Sequence, residues 1–305
     1  GAAGGLAGPD GAAGGSGTQG ETEQRTAPGA QGNSETEEWP DARETEESRN
    51  APGTPGTTEA AGTPGEPAGA GANGQAPPEM SDPAGEPAAD GGTGGAKRVL
   101  IYHSHNRESW LPELKGKGKT KPNEAFDEEI NVTLLGARLA QKLEEAGVGA
   151  LHSEKDYPTA VKNFNYNYSY SYSKTTVKEA LAVHRELAIL LDIHRDSSRG
   201  GNTTLEADGK SYAKVYFIVG KGHPHWEENE AFAERIHDEL EKKMPGLSRG
   251  ILTKGAKHGH GEYNQSLSPG SVLIEVGGVD NTLEESYRTI DLLASVIAAL
   301  AKESE

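Results

Sequence analysis

From Arg98 to Lys302 the chain alternates short β-branched or aromatic runs with longer segments whose apolar residues recur every three or four positions. The first pattern predicts strands and the second amphipathic helices. Val99-Leu100-Ile101-Tyr102 predicts a first strand over about Arg98–His103. Val132, Leu135, Leu139 and Leu143 predict a helix from about Glu128 to Ala146, with Gly147 as its stop. Val148–His152 reads as a short second strand, and Ile189–His194, apolar almost throughout, as a central third. Between them, Asn165 to Tyr172 alternates aromatic and polar residues with period two, which predicts an extended segment with one aromatic face. Thr176-x-x-Glu179 has the form of a capping box opening a helix that runs to about Ala188.

Further on, Asp208-Gly209 predicts a hairpin turn, and Ala213–Val219 continues as a strand. Phe232, Ile236, Leu240 and Met244 mark a helix that Pro245-Gly246 ends. Gly250–Thr253 and Val272–Val276 add two strands, and Thr282-x-x-Glu285 caps a last helix carrying Tyr287, Ile290, Leu293, Val296 and Leu300 on its inner stripe. Strands and helices alternating in this way predict an α/β fold, with a mostly parallel, twisted central sheet and helices on both faces.

Residues 1–96 carry none of this patterning. Their only apolar residues besides Ala are Leu6, Trp39 and Met80, too few to offset the entropy of ordering the chain. Sixteen acids against three basic residues place −13 of the formal −17 charge there. The division predicts a disordered, acidic, Gly/Ala/Pro/Glu-rich linker over 1–96 and one folded domain over 97–305. That domain is only slightly acidic, which argues against a nucleic-acid partner. There is no cysteine, so disulfides and thiolate zinc sites are excluded. No run of about 18 apolar residues occurs that would cross a membrane. The chain opens on Gly1 with its first Met at Met80, which reads as a fragment whose anchor or signal lay in a missing N-terminal part.

Chemistry gathers where strands stop. His105 and Glu108, three residues apart just after the first strand, fall on one side of a helical turn, and His194 ends the third strand. A His₂Glu set leaves a fourth zinc position open for water. His103 competes with His105 for the first place. Glu275 lies inside an apolar strand, where a carboxylate is costly unless paired. Duty as general base beside a metal accounts for it, and the alternative is a buried salt bridge to an arginine such as Arg195. His223-Pro224-His225 and His258-Gly259-His260 have short spacings but sit in Gly/Pro-rich loops with nothing to orient them. A Gly-x-Ser-x-Gly elbow and a phosphate-binding glycine loop are both missing.

Ile101-Tyr102-His103-Ser104-His105-Asn106-Arg107-Glu108-Ser109, Asp192-Ile193-His194-Arg195-Asp196-Ser197, Gly209-Lys210-Ser211-Tyr212-Ala213, Tyr263-Asn264-Gln265 and Glu275-Val276-Gly277-Gly278-Val279-Asp280-Asn281-Thr282 resemble, in order, the stage II sporulation protein P family. The resemblance covers 97–302 and implies a domain similar to zinc-dependent N-acetylmuramoyl-L-alanine amidases. It implies Zn²⁺ as cofactor and cleavage of the amide between N-acetylmuramic acid and L-alanine in peptidoglycan, with a further activity on peptide cross-links. Metal ligands would be His105, Glu108 and His194, with Asp127, Glu128 or Glu129 open as the second ligand, and Glu275 catalytic. Arg107 and Arg195, flanking two ligands, are expected to clamp a stem-peptide carboxylate, and Asn264 to contact substrate. The rival functions are a zinc carboxypeptidase or endopeptidase on stem peptides and a non-catalytic peptidoglycan-binding scaffold. The implied setting is endospore formation, septal thinning and engulfment, on the extracytoplasmic face of a membrane reached through the missing anchor. The implied partners are stage II sporulation proteins D and M.

Overall fold

A computed structural model of the chain describes residues 96–255 and 261–303. The linker expected before Ala96 lies outside the described residues, as do His258 and His260. The chain forms β1 (Lys97–Tyr102), α1 (Thr133–Glu145), β2 (Gly149–His152), a single turn α2 (Tyr157–Ala160), α3 (Ser169–Val183) and β3 (Ile189–Asp196). There follow a turn α4 (Gly200–Thr203), β4 (Thr204–Ala207), β5 (Lys210–Ala213), β6 (Val215–Gly220), α5 (Trp226–Lys243), β7 (Ser248–Lys254), β8 (Gly270–Gly278) and α6 (Leu283–Glu303). Six strands make one sheet in the order β2-β1-β3-β8-β6-β7, and β4-β5 is a separate hairpin. Every neighbouring pair in the large sheet is parallel except β6-β8. The expected α/β architecture is therefore present. Among the described residues no helix is long and apolar enough to cross a membrane.

The two-residue period of the strands sorts their side chains into two layers. Val99, Ile101, Leu191, Phe217 and Ile274 pack with the apolar stripes of α1, α5 and α6 into the main core. Leu100, Tyr102 and Leu190 point the other way, onto Val177 of α3 and Leu187. Each of these fully buried aliphatic chains contributes about 1.5–3 kcal/mol relative to exposure. By the same alternation Asp192, His194 and Glu275 belong to the α3 face, Asp192 and His194 within β3 and Glu275 within β8.

Local chemistry explains the boundaries. In the hairpin, Asp208 (φ 51°) and Gly209 (φ 73°) both take the left-handed conformation that a type I′ turn demands. Thr282 Oγ1 accepts from the Glu285 N–H at 3.2 Å while Glu285 Oε2 accepts from the Thr282 N–H at 2.8 Å, the capping box expected for α6. Two expectations fail. The first long helix begins at Thr133 rather than Glu128, because Asp127 Oδ1 accepts from the N–H groups of Glu129 and Ile130, both at 3.0 Å, and Asn131 Oδ1 accepts from that of Thr133 at 2.9 Å. These side-chain bonds hold a turn where backbone bonds would have extended the helix.

The second failure is the tyrosine run. Asn165–Tyr172 is a 3₁₀ turn over Tyr166–Tyr168 running into α3, not an extended segment, and Thr176 lies inside that helix, which ends at Val183. Asn165 Oδ1 starts the turn by accepting from the Asn167 N–H at 2.9 Å. Tyr168 and Tyr172, four apart, join Tyr157 and Phe164 in a buried cluster. Tyr166 and Tyr170 form a second pair that looks elsewhere. Thr176 takes a hydrogen bond from the Tyr157 hydroxyl at 3.1 Å and caps nothing.

Candidate metal centre

After Tyr102 the chain folds into a turn closed by the Glu108 N–H on His105 O at 3.1 Å. The turn is pinned from outside: Asp127 N–H donates to Arg107 O at 2.8 Å and Val132 N–H to Glu108 O at 2.9 Å. His105 Nδ1 thereby lies 3.1 Å from Glu108 Oε1. The other carboxylate oxygen, Oε2, accepts the Arg195 N–H at 2.9 Å and lies 3.4 Å from His194 Nδ1. One donor atom from each of His105, Glu108 and His194 falls within 4.8 Å of the others, the only such trio among the described residues. Two imidazoles and a carboxylate, nearly sealed from solvent, suit a borderline-soft divalent ion such as zinc.

His194 is held from behind. Its Nε2 lies 3.0 Å from Asp192 Oδ1 and 2.8 Å from Ser104 Oγ, while the Ser104 N–H and hydroxyl donate to the two Asp192 oxygens at 2.8 and 2.7 Å. A proton on Nε2 shared with Asp192 leaves the Nδ1 lone pair aimed at the trio, the usual support of a metal-binding histidine. Burial alone would lower the His194 imidazole, but the Asp192 and Glu108 carboxylates outweigh it and hold it well above its ordinary value. Burial likewise works against the Glu108 carboxylate, and His194 and His105 overcome it, keeping the group well below the usual range.

Glu275 is the cross-strand partner of His194 in the β3–β8 ladder. Its Oε2 is buried with no hydrogen-bond partner. Burial pushes the carboxyl up to about 8, helped by the charges of Glu108 and Asp196 and opposed by His194 and Arg195. The salt bridge to Arg195 does not form. That guanidinium donates to Ala125 O at 2.8 Å and lies over the Phe126 ring, 5.7 Å from Cζ to centroid.

Aromatic rings cover the trio. Tyr166 stacks on His105 with centroids 4.5 Å apart, and Tyr170 meets His105 edge-on at 5.3 Å and lies parallel to His194 at 6.4 Å. Tyr263 closes against Tyr170 at 5.3 Å.

Other candidates are engaged elsewhere. His103 Nδ1 bonds Ile193 O and its Nε2 meets His152 Nε2, both at 2.9 Å, so His105 is the member of this pair that joins the trio. Asp127 caps its own turn and pairs with Lys117 at 2.5 Å, and Glu128 and Glu129 are exposed, so Glu108 supplies the carboxylate. Arg107 makes a bidentate pair with Asp156 at 2.9 and 2.7 Å and keeps part of its side chain exposed. Asn264 is sealed inside, donating to Tyr170 O at 3.1 Å and Ser173 Oγ at 2.9 Å, and so is withdrawn from substrate contact. His223 is buried and His225 exposed, and neither joins a three-ligand group. Sequence reasoning missed Asp192, though it carries the signal that exposed Glu275: an acid inside the apolar run Ile189–Ile193.

Fold and site together define an α/β domain with three side chains, His105, Glu108 and His194, grouped closely enough to hold a cation. The chain matches the family described as Stage II sporulation protein P (SpoIIP) over residues 16–298, and it belongs to that family. It is 44% identical over 215 residues to the Stage II sporulation protein P of Bacillus subtilis (strain 168), covering 70% of this chain and 53% of the relative, so it spans about half the length of the curated relative it matches. Among solved structures it is similar to the CwlD amidase from Clostridioides difficile in complex with the GerS lipoprotein, at TM-score 0.41 and 16% identity over 68% of this chain and 100% of that one. A metallo-carboxypeptidase from Burkholderia cenocepacia gives TM-score 0.43 and 14% identity over 70% of this chain and 60% of that one.

Proposed function

We propose that the domain over 97–305 is a zinc-dependent peptidoglycan hydrolase of endospore formation that cleaves the amide between N-acetylmuramic acid and the L-alanine of the stem peptide. The observation that carries this reading is the convergence of His105, Glu108 and His194 within 4.8 Å beside Glu275, whose buried Oε2 has no hydrogen-bond partner. Membership of the sporulation family supports the setting. The amidase bond and the partnership with stage II sporulation proteins D and M rest on the sequence resemblance, as does a membrane tether reached through the linker over 1–96.

His105, Glu108 and His194 would hold the zinc. Bound there, zinc supplies Lewis-acid chemistry, polarising an amide carbonyl and acidifying water. Asp192 keeps the His194 proton on Nε2, through the 3.0 Å contact, so that Nδ1 stays a donor. Glu275, whose buried Oε2 has no hydrogen-bond partner, takes the proton from the attacking water and passes it to the departing alanine nitrogen as the carbon–nitrogen bond breaks. Tyr166 and Tyr170 screen the site from bulk water, which strengthens each of these interactions.

The test is digestion of purified cell wall by the zinc-loaded chain, with products separated by mass. Free lactyl ends together with intact stem peptides bearing new alanine amino termini are the expected result. Trimmed peptides without lactyl ends would replace the amidase by a peptidase. A folded, zinc-loaded chain that releases nothing would point to a scaffold.

A further inference from the structure

The rung that joins His194 to Glu275 continues across the sheet. Glu275 pairs with Tyr216 of β6, and the register between β6 and β7 slips between Val215 and Phe217, opposite Arg249 and Gly250. Gly250 has φ 93°, a conformation other residues rarely adopt. A bulge of this kind bends a strand and re-aims the side chain beside it. Here it carries the Arg249 guanidinium over the Tyr216 ring, with Cζ 4.5 Å from the centroid. Nη1 is tied to Asp196 Oδ2, and Asp196 is itself fixed by the Ser198 N–H and hydroxyl at 2.9 and 2.8 Å. Among the described residues Nε and Nη2 of Arg249 donate to nothing, and the side chain keeps 21% of its surface exposed. Half of a carboxylate-binding fork is therefore anchored, and the other half is presented to solvent.

We propose that Arg249, backed by Tyr216 and Asp196, is a substrate-binding residue that takes a free carboxylate on the peptide side of the scissile amide. The proposal rests on the hydrolase reading for its choice of ligand. Adjacent strands lie about 4.8 Å apart, so β7 is roughly 10 Å from the Glu275 strand. An extended peptide advances about 3.5 Å per residue. A carboxylate carried by the residue after the leaving alanine, as the α-carboxylate of isoglutamate is, lies up to about 7 Å from the alanine nitrogen, and the Arg249 guanidinium, reaching back over Tyr216 on the strand next to that of Glu275, covers the remainder. The ion pair with Asp196 sets the guanidinium plane in advance, and little rotamer entropy remains to be lost on binding.

The experiment is calorimetric titration of the full chain with the free stem peptide in two forms, one with the isoglutamate α-carboxylate and one with a carboxamide in its place. Wild type should bind the acid form about ten- to a hundredfold more tightly, the range for a charge-assisted hydrogen bond. Arg249→Gln should bind both forms alike, and Arg249→Lys should keep part of the preference. Asp196→Asn, which leaves the arginine in place, should keep a preference for the acid. Equal binding of the two forms by wild type, no measurable binding of the acid, or an undiminished preference in folded Arg249→Gln would overturn the proposal. If Arg249→Gln does not fold, the lysine variant decides: a preference fully equal to wild type overturns the fork. Cell-wall turnover, measured in parallel, separates this from the hydrolase reading. Preference without turnover keeps the subsite and removes the reaction, and turnover without preference does the reverse.

Discussion

His194 and Glu275 are lateral partners on one rung of the β3–β8 parallel ladder, so a candidate ligand and a candidate base stand side by side on two of the most buried strands of the sheet. Backbone pairing sets their spacing, which no loop movement alters. Glu275 contributes no atom to the trio. Glu275→Gln should therefore bind zinc as wild type does while losing about 10²- to 10⁴-fold in cell-wall turnover. Metal analysis and a product assay on the same preparation check this, and near-normal turnover would remove Glu275 from the chemistry.

Asp192 would act on a bound metal only through His194, which it contacts at 3.0 Å. Asn at this position can still accept the Ser104 N–H, yet it can turn a donor towards His194 Nε2 and drive the imidazole proton to Nδ1, the nitrogen needed for the metal. Asp192→Asn should weaken zinc binding by about 10- to 100-fold with little change in thermal unfolding. Competition with a chromophoric chelator measures the affinity, and an unchanged value would mean that the carboxylate serves packing alone.

Much of this was legible in the sequence because it depends on neighbours along the chain. The Asp208-Gly209 turn, the Thr282–Glu285 capping box and the placing of His105, His194 and Glu275 at strand ends are all local signals. The tyrosine run misled because its period of two is also half of the four-residue helical repeat. Tyr166 with Tyr170 and Tyr168 with Tyr172 are helical pairs as well as alternate strand positions, and only tertiary contacts decide between them. Arg249 was invisible for another reason. Nothing local tells that β6 lies antiparallel beside β8, and without that order Tyr216 and Arg249 have no connection to Glu275.

Gly136 explains how closely α1 approaches the sheet. A Cβ built there would fall 2.3 Å from His152 Nε2 and 2.4 Å from His103 Nε2, well inside contact distance and against two rings bonded to each other. Gly136→Ala should cost roughly 1–3 kcal/mol through overpacking despite alanine's better helix propensity. Gly116→Ala, with nothing within 4 Å of the new methyl, is the matched control. Equal melting temperatures for the two variants would show that the helix can shift aside.

The same two rings fix an acid limit on stability. His103 gives its Nδ1 proton to Ile193 O, so the 2.9 Å contact between the two Nε2 atoms holds one proton, donated by His152. Burial lowers His103 to about 4, and burial with the facing His103 lowers His152 to about 3. In the unfolded chain both titrate near 6.5. Below that pH the unfolded state binds more protons than the folded one, so stability is complete above about 6.5 and declines as the pH falls towards the folded values. Each imidazole contributes up to about 1.4 kcal/mol per pH unit to this slope, reached where its unfolded form is fully protonated. Gln in place of His152 offers an amide donor to His103 and nothing that titrates. Urea unfolding of His152→Gln between pH 7 and 5 should therefore show a slope shallower than wild type by about 1 kcal/mol per pH unit on average, steepening towards the acid end. Since every other titrating group is common to both proteins, parallel slopes would mean that His152 takes up its proton in the folded state as readily as in water.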